Sequence, residues 1–308
     1  MKTPLTWLHP PLAAVVSVFA VTLVTLPAIL AETSMSAPAH VPARQIATKG
    51  NPDGVFLRSS AAYVYDLHDQ TALLQRNSDK PRPIASLTKL MTAMVVIDSQ
   101  PDYGEPIRIT DADKDRIRYS RSRLPVNTVL TRYDALLITL AASENRAAAA
   151  LARNYPGGRQ AFIRAMNKKA SDLGLTSTHF ADPAGLSNDN VSTARELARL
   201  AKAADHYDLI KVLTTTAKDR VIDQRTGKVI TFSNTNRLIG RATWQIELSK
   251  TGFTSDAGNC LVMKLQMAGR PLIVVLLNSW GTLSKYGDTN RIKKWLVRTE
   301  EKLRRPSL

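Results

Sequence analysis

Ser86 and Lys89 lie three residues apart at the start of an apolar segment, PIASLTKLMTAMVV (83–96). The apolar positions recur with a helical period, so a helix beginning near Ser86 would carry both side chains on one face. A lysine that enters an apolar core is costly to keep charged, and its pKa should fall. A hydroxyl beside such an amine is a nucleophile beside its base. The alternative is a helix-capping serine and a lysine that extends to water.

Two further motifs follow along the chain. Ser143 and Asn145 lie in AASENRAA between two helical stretches, and Lys250-Thr251-Gly252 lies in a strand-like stretch, ELSKTGFT. Each fragment alone is common. In this order, however, S-x-x-K, S-x-N and K-T-G form the signature of active-site serine enzymes that process D-Ala peptides or β-lactams. The three motifs together favour acyl transfer over the capping alternative.

The chain resembles the low-molecular-mass penicillin-binding proteins, the D-alanyl-D-alanine carboxypeptidases and endopeptidases, over residues 55–298. It is most similar to their periplasmic endopeptidase branch. The segments that carry the resemblance are PIASLTKLMTAM, SENRAA, YPGG, FADPAGLSNDNVSTARELA, NTNRL, SKTG and AGNCLVMK. The second motif reads Ser-Glu-Asn where many relatives carry Ser-Gly-Asn or Ser-Asp-Asn, and this middle position is the variable one. The resemblance implies a periplasmic enzyme that β-lactams inhibit covalently and that uses no cofactor.

Acyl transfer assigns a role to each motif residue. Ser86 would attack the carbonyl of a D-alanine residue while Lys89 takes the hydroxyl proton. Ser143 would bridge Lys89 and Lys250 and pass the proton to the departing amine. The resemblance implies that the backbone N–H groups of Ser86 and Phe253 form the oxyanion hole.

The remaining motif residues are predicted to hold the substrate. Asn145 would donate a hydrogen bond to a peptide carbonyl in the cleft. Lys250 and Thr251 would anchor the carboxylate beside the scissile amide. Gly252 would leave room for the substrate backbone beside its strand.

Strand-like stretches occur near both ends of the chain, and helical stretches occur between them. The predicted strands are 61–66, 71–76, 244–254, 259–268 and 271–279, with a hairpin around Thr226-Gly227. The predicted helices are 131–142, 146–155, 159–174 and 192–207, with Thr131 and Ser192 as N-caps and Gly174 as a C-cap, and a last helix over 288–302. This order predicts an α/β (α+β) fold, in which an antiparallel sheet built from both ends is flanked by helices and carries a helical insertion at about 104–215. Ser86 would then lie at the seam, where binding clefts tend to form. The resemblance implies the same β-lactamase-like architecture.

The N-terminal region has the features of an export signal. Residues 1–31 combine one early lysine, a long apolar run and a small-residue end, which predicts a cleavable signal peptide and a periplasmic protein. An uncleaved anchor over 12–31 is the alternative. Residues 32–54 are predicted to be a linker, 55–303 the enzyme domain and 304–308 a tail.

The net charge of +16 points to an anionic partner. An exported protein rarely meets nucleic acid, so we expect loose electrostatic association with anionic lipid surfaces or an acidic wall polymer. Simple solvation of the surface is the alternative. The lone Cys260 cannot form an internal disulfide, and no histidine pair has the spacing of a metal-binding helix, so no metal is predicted.

Three features outside the motifs are expected to have structural rather than catalytic roles. Glu144 is expected to be a solvated carboxylate at a helix start. Residues 116–123 (RIRYSRSR) are expected to form an exposed basic loop. Trp295, with Ile292, Leu296 and Leu303, is expected to pack on the sheet rather than to lie on a membrane.

Four functions compete for this signature. The favoured one is an endopeptidase that cuts D-Ala–meso-diaminopimelate cross-links of peptidoglycan, and the second is a carboxypeptidase that trims terminal D-Ala. The chain ends soon after its last strand, which favours the first, since typical carboxypeptidase relatives continue into a second β-rich domain. A class A β-lactamase would need a deacylating glutamate in an E-x-x-L-N element, and neither Glu196 nor Glu247 begins one. Intact motifs argue against a non-enzymatic wall-binding scaffold.

Overall fold

A computed structural model describes residues 40–305. The predicted signal peptide (1–31), residues 32–39 of the predicted linker and residues 306–308 of the predicted tail lie outside the described residues. The strands are β1 (Ser59–Asp66), β2 (Thr71–Arg76), β3 (Arg82–Pro83), β4 (Pro106–Arg108), β5 (Val129–Thr131), β6 (Val191–Ser192), β7 (Lys218–Ile222), β8 (Val229–Ser233), β9 (Gln245–Thr254), β10 (Gly258–Met267) and β11 (Arg270–Ser279). The helices are α1 (Ala43–Lys49), α2 (Lys89–Asp98), α3 (Arg132–Ala141), α4 (Asn145–Arg153), α5 (Gly158–Asp172), α6 (Ala194–Ala204), α7 (Asp208–Thr215) and α8 (Ser284–Arg304).

The central sheet has five antiparallel strands in the order β2-β1-β11-β10-β9. The first two strands come from the start of the described chain and the other three from its end, which confirms the predicted sheet. β11 is the middle strand, and its run PLIVVLLNS is buried almost throughout. A strand reads as a continuous apolar run when both faces of its sheet are covered.

Alternation along β1 divides the core into two layers. Ala61 and Tyr63 join the cluster that packs beneath α2 and α6, whereas Ala62 and Val64 join the cluster on the other face. On that second face α8 buries Ile292 and Leu296 completely. The prediction that this helix packs on the sheet is confirmed.

The helical part of the fold lies between β2 and β9 and includes residues 104–215, where the insertion was predicted. It contains α7, which the periodicity did not reveal, and it includes the β7–β8 hairpin as a separate two-stranded sheet. β7 and β8 therefore do not join the central sheet. Their exposed alternate positions show why, since only one face of this short hairpin is buried.

Two local predictions were wrong and two were confirmed. Within the predicted linker, α1 docks on the core through Ala43 and Ile46, both fully buried. With seven residues, α1 is too short to show a helical period, and most residues around its two buried positions are polar. The N-cap of α6 is Thr193 and not Ser192, whereas the Thr131 side chain caps α3 as predicted. Helix α5 ends at Asp172, and Gly174 follows two residues later with a left-handed φ of 67° and donates its N–H to the Ser171 carbonyl, as in a glycine-capped helix end.

Within residues 40–305, no helix is both long and apolar enough to cross a bilayer.

Candidate active site

Ser86 lies in a single 3-10 turn, Ala85–Thr88, that leads directly into α2. The turn begins with strained backbone, because Ala85 has a φ of 47°. Thr88 Oγ1 donates to the Ala85 carbonyl at 2.8 Å and holds the turn in this shape. Ser86, the nucleophile candidate, therefore lies three residues before the first residue of the buried helix α2.

Gly252 on β9 allows this turn to touch the sheet. A Cβ at this position would lie 3.0 Å from the Ile84 carbonyl oxygen and 3.1 Å from the Ser86 backbone nitrogen. Contacts of that length are tighter than packed protein tolerates without movement. The missing side chain thus makes room for the protein's own serine turn, whereas the sequence predicted that it makes room for substrate.

Lys89 is completely buried and reaches three acceptors. Its Nζ lies 2.8 Å from Ser86 Oγ, 2.7 Å from Asn145 Oδ1 and 2.7 Å from the Ala184 carbonyl oxygen. Burial lowers the pKa of Lys89 to about 7, and the nearby carboxylates of Asp182 and Glu144 limit the fall. A neutral amine has two N–H groups and one lone pair. The two carbonyl-type oxygens can accept both N–H groups, which leaves the lone pair for the Ser86 hydroxyl.

A loop beyond the three motifs holds Lys89 in this position. The Asp182 carboxylate accepts the backbone N–H groups of Ala184, Gly185, Leu186 and Ser187. This ring of donors fixes the Ala184 carbonyl that receives Lys89. The sequence did not reveal this role, because no local pattern links the segment to a lysine 95 positions away.

Ser143 and Lys250 form a second pair across the cleft. Lys250 Nζ donates to Ser143 Oγ at 2.8 Å, and Ser143 has a left-handed φ of 60°. Burial and the positive charges of Lys89 and Lys285 lower the pKa of Lys250 well below its usual value. Among the described residues, the Lys89 Nζ forms hydrogen bonds with Ser86, Asn145 and Ala184. The predicted Ser143 bridge is thus present on the Lys250 side and absent on the Lys89 side.

Asn145 is engaged by the protein at both ends of its amide. Its oxygen accepts from Lys89, and its Nδ2 donates to Ser120 Oγ at 2.9 Å. In this geometry the amide positions the lysine, and the bond to Ser120 sets its orientation. A donation to substrate would use its other N–H.

The mouth of the site is a cavity of about 410 Å³ between the two halves of the fold. Thr251 lines it and donates to Thr235 Oγ1 at 2.6 Å, while the Phe253 side chain is 65% exposed at its edge. The lining residues are Ser86, Ser143, Asn145, Thr235, Thr251, Gly252, Phe253, Asn259, Thr282 and Lys285.

Lys285 is a basic residue that lines this cavity, and no sequence pattern indicated its place there. It lies on the first turn of α8, is 6% exposed, and donates to Asn259 Oδ1 at 3.2 Å. Burial lowers its pKa. The residue belongs to no motif, and α8, which begins at Ser284, was predicted to begin four positions later, at Asp288.

One expectation about the surroundings of the site was wrong and one was confirmed. Glu144 is only 4% exposed, and its carboxylate accepts from Ser122 Oγ at 2.6 Å, so it is not solvated. Residues 116–123 form an exposed basic loop, as predicted. Arg118 holds this loop in place, because it donates to the Leu186 carbonyl at 2.6 Å and to Asp256 at 2.8 Å.

Comparison with known proteins agrees with this geometry. The crystal structure of the Streptomyces K15 DD-transpeptidase has a similar fold, with a TM-score of 0.72 and 27% identity. The match covers 79% of this chain and 98% of that chain. Fold and motifs together define a serine enzyme of the penicillin-binding class.

The chain belongs to the D-alanyl-D-alanine carboxypeptidase family, peptidase family S11, whose model matches residues 47–281. It is 43% identical over 263 residues to a D-alanyl-D-alanine endopeptidase of Pseudomonas aeruginosa, covering 85% of each chain. It is 41% identical over 240 residues to a D-alanyl-D-alanine endopeptidase of Escherichia coli, covering 78% of this chain and 77% of that relative. The predicted family is confirmed.

Proposed function

We propose that the protein is a periplasmic serine DD-endopeptidase that hydrolyses D-Ala–meso-diaminopimelate cross-links of peptidoglycan. The observation that carries this proposal is the similarity to two relatives named D-alanyl-D-alanine endopeptidases, at 43% and 41% identity over most of the chain. Ser86, at the cavity, and the buried Lys89 supply the chemistry.

In the first half of the reaction, Ser86 Oγ forms a bond to the D-alanine carbonyl carbon while Lys89 takes the hydroxyl proton. The backbone N–H groups of Ser86 and Phe253 stabilise the negative oxygen of the intermediate. The carbon–nitrogen bond then breaks, and the proton held by Lys89 passes by way of Ser143 to the departing amine, so that Lys89 is neutral again and Ser143 keeps its hydroxyl. The product of this half is an ester on Ser86.

In the second half, Lys89 removes a proton from water, which attacks the ester and releases the acid. Ser86 recovers its proton from Lys89. Throughout, Lys250 and Thr251 hold the carboxylate next to the scissile amide, and Lys285, which lines the same cavity, adds a basic group. Asn145 keeps Lys89 aimed at the serine.

The endopeptidase and carboxypeptidase reactions share these steps and differ in the leaving group. Purified enzyme should receive equal amounts of cross-linked dimers and monomeric pentapeptides, followed by chromatography. We expect dimers to be converted first, and Ser86→Ala to act on neither substrate. Faster release of D-alanine from pentapeptide would favour carboxypeptidase activity, the alternative that the family description supports.

β-Lactams should acylate Ser86 and remain bound for minutes or longer, because neither candidate for a deacylating glutamate faces the cavity. Glu196 accepts the Ser177 N–H at the start of α6, and Glu247 pairs with Lys264. Intact-protein mass spectrometry should find one penicillin adduct, absent in Ser86→Ala. An adduct that persists in this variant would refute the assignment of the nucleophile, and rapid loss of the wild-type adduct would favour a β-lactamase.

The net charge of +16 supports loose electrostatic attachment of the exported protein to anionic envelope material.

A further inference from the structure

A groove lies between the end of α1 and the outer side of α8, on the sheet face opposite to α2. We call it the basic groove and define it by its five cations, Lys49, Arg291, Lys294, Arg298 and Lys302. It encloses about 460 Å³, and no carboxylate lines it among the described residues. None of the site residues described above contributes to it.

The fold builds this groove with close contacts at its base. Gly50, which ends α1, lies so near α8 that an added Cβ would be 2.8 Å from Thr299 Cγ2. The indole Nε1 of Trp295 donates to the Gly50 carbonyl at 2.6 Å. The inner side of α8 is buried through Ile292 and Leu296, so its outer side is held in one orientation. The groove is therefore a fixed feature of the packing.

The charges in the groove are mostly uncompensated. Lys294, Arg298 and Lys302 recur every four residues and span about 12 Å along α8. Within residues 40–305 these three and Lys49 make no salt bridge, whereas Arg291 pairs with Asp288. Like charges four residues apart disfavour a helix. The helix dipole explains Lys49 and Lys302, which lie in last turns, but it does not explain Lys294 or Arg298.

Aromatic rings complete the lining. Phe56 is 68% exposed, and the Arg291 guanidinium lies 5.6 Å from its ring centre. Trp295 lines the groove beside it. Rings combined with cations suit a chain of sugars that carries carboxylates, since sugar faces pack on rings and carboxylates pair with cations. A concave groove accommodates a chain, whereas a bilayer would meet a flat or convex surface.

We propose that the basic groove binds an acidic glycopeptide strand of the wall polymer at a distance from the bond that is cleaved. This inference rests on the proposed function, because it assumes that peptidoglycan is the substrate. A second contact with the same polymer would raise the local concentration of cross-links at Ser86.

The test uses full-length protein carrying Ser86→Ala, so that hydrolysis does not change the polymer. Binding to purified, insoluble peptidoglycan sacculi is measured by co-sedimentation at low salt. We expect the pair Arg298→Glu with Lys302→Glu to weaken binding roughly tenfold or more. The matched control is Arg164→Glu with Lys228→Glu, which removes equal charge from exposed positions outside the groove and should change binding less than twofold.

Equal losses of sacculus binding in the groove pair and the control pair would overturn the proposal and indicate a general charge effect. Full binding by the groove pair would also overturn it. Anionic phosphatidylglycerol vesicles form a parallel arm, and groove-dependent binding to vesicles without binding to sacculi would assign the groove to a membrane instead. Thermal unfolding checks that each variant is folded. If the charge-reversed groove pair does not fold, Arg298→Gln with Lys302→Gln replaces it as the test variant.

The same groove pair with Ser86 intact is then assayed on soluble cross-linked dimers and on sacculi. We expect an unchanged rate on dimers and a reduced rate on sacculi. Absence of dimer hydrolysis in the wild type would refute the proposed function while the sacculus-binding result still tests the groove.

Discussion

Lys89 makes the chemistry of Ser86 depend on pH. Its amine is buried, within 2.8 Å of the serine oxygen, and its pKa is lowered to about 7. A base acts in its deprotonated form, so the fraction of competent enzyme increases as pH rises through the pKa. Without burial the amine would remain protonated until about pH 10.

Acylation by a penicillin should therefore accelerate about tenfold per pH unit below pH 7 and level off near pH 8. Stopped-flow measurement between pH 5.5 and 8.5 checks this expectation. As a comparison, Lys89→Arg stays protonated at every pH tested, and its rate should be lower by about 10²–10⁴. A flat wild-type profile, or a variant within tenfold of wild type, would contradict the role of Lys89 as the base.

At the scale of elements, the site depends on contact between β9 and the turn that carries Ser86. The contact joins parts of the chain that are more than 160 positions apart, and it is close only because position 252 has no side chain. The oxyanion hole proposed between Ser86 and Phe253 would have one donor on each element. Its geometry therefore depends on their spacing.

Gly252→Ala should separate these elements by a few tenths of an ångström or more and reduce penicillin acylation by about 10–100-fold. Gly287→Ala on α8 is the control, because its added Cβ would meet only the flexible end of Arg291 at 3.4 Å. Second-order acylation rates and thermal midpoints of both variants provide the comparison. A wild-type rate in Gly252→Ala would show that the spacing has no influence on the chemistry.

The short helix α1 should contribute to stability although it lies where a linker was predicted. Ile46 is fully buried in the core layer beneath α8. Truncation of a buried isoleucine costs about 2–5 kcal/mol, so Ile46→Ala should lower the free energy of unfolding by about that amount. Urea unfolding measures it, with the exposed neighbour Gln45→Ala as the reference. Equal values for the two variants would mean that α1 is not docked in solution.

At the scale of the whole molecule, the chain carries a large excess of positive charge. The chain has 42 Lys and Arg residues against 26 Asp and Glu residues. Many of its carboxylates are engaged in ion pairs, including the fully buried Asp66, which pairs with Arg270. Such pairing leaves the excess of positive charge on the surface, and the basic groove gathers part of it in one place.

Attachment by charge is screened by salt, so roughly 1 M NaCl should release the protein from an envelope fraction. Immunoblotting of the supernatant and pellet after washes of increasing ionic strength would show it. A protein that leaves the pellet only in detergent would instead indicate an uncleaved anchor at residues 12–31.

The sequence by itself determined the family, the three motifs and the sheet built from both ends. These features are encoded locally, in the spacing of a few residues and in periods of two or 3.6 along the chain. It placed Ser86 at a helix start and Lys250 on a strand, and both are found there. Export, too, is predicted from a local pattern.

Only the tertiary structure decided which side chains surround these residues. The burial of Glu144, the bond from Asn145 to Ser120, and the approach of Lys285 to the cavity all join positions distant in the chain. The same holds for Gly252, whose missing side chain matters because the strand lies close to Ile84 and Ser86. A local window records the type and period of a residue, but burial and partners arise from packing between separate elements, and packing sets pKa and geometry.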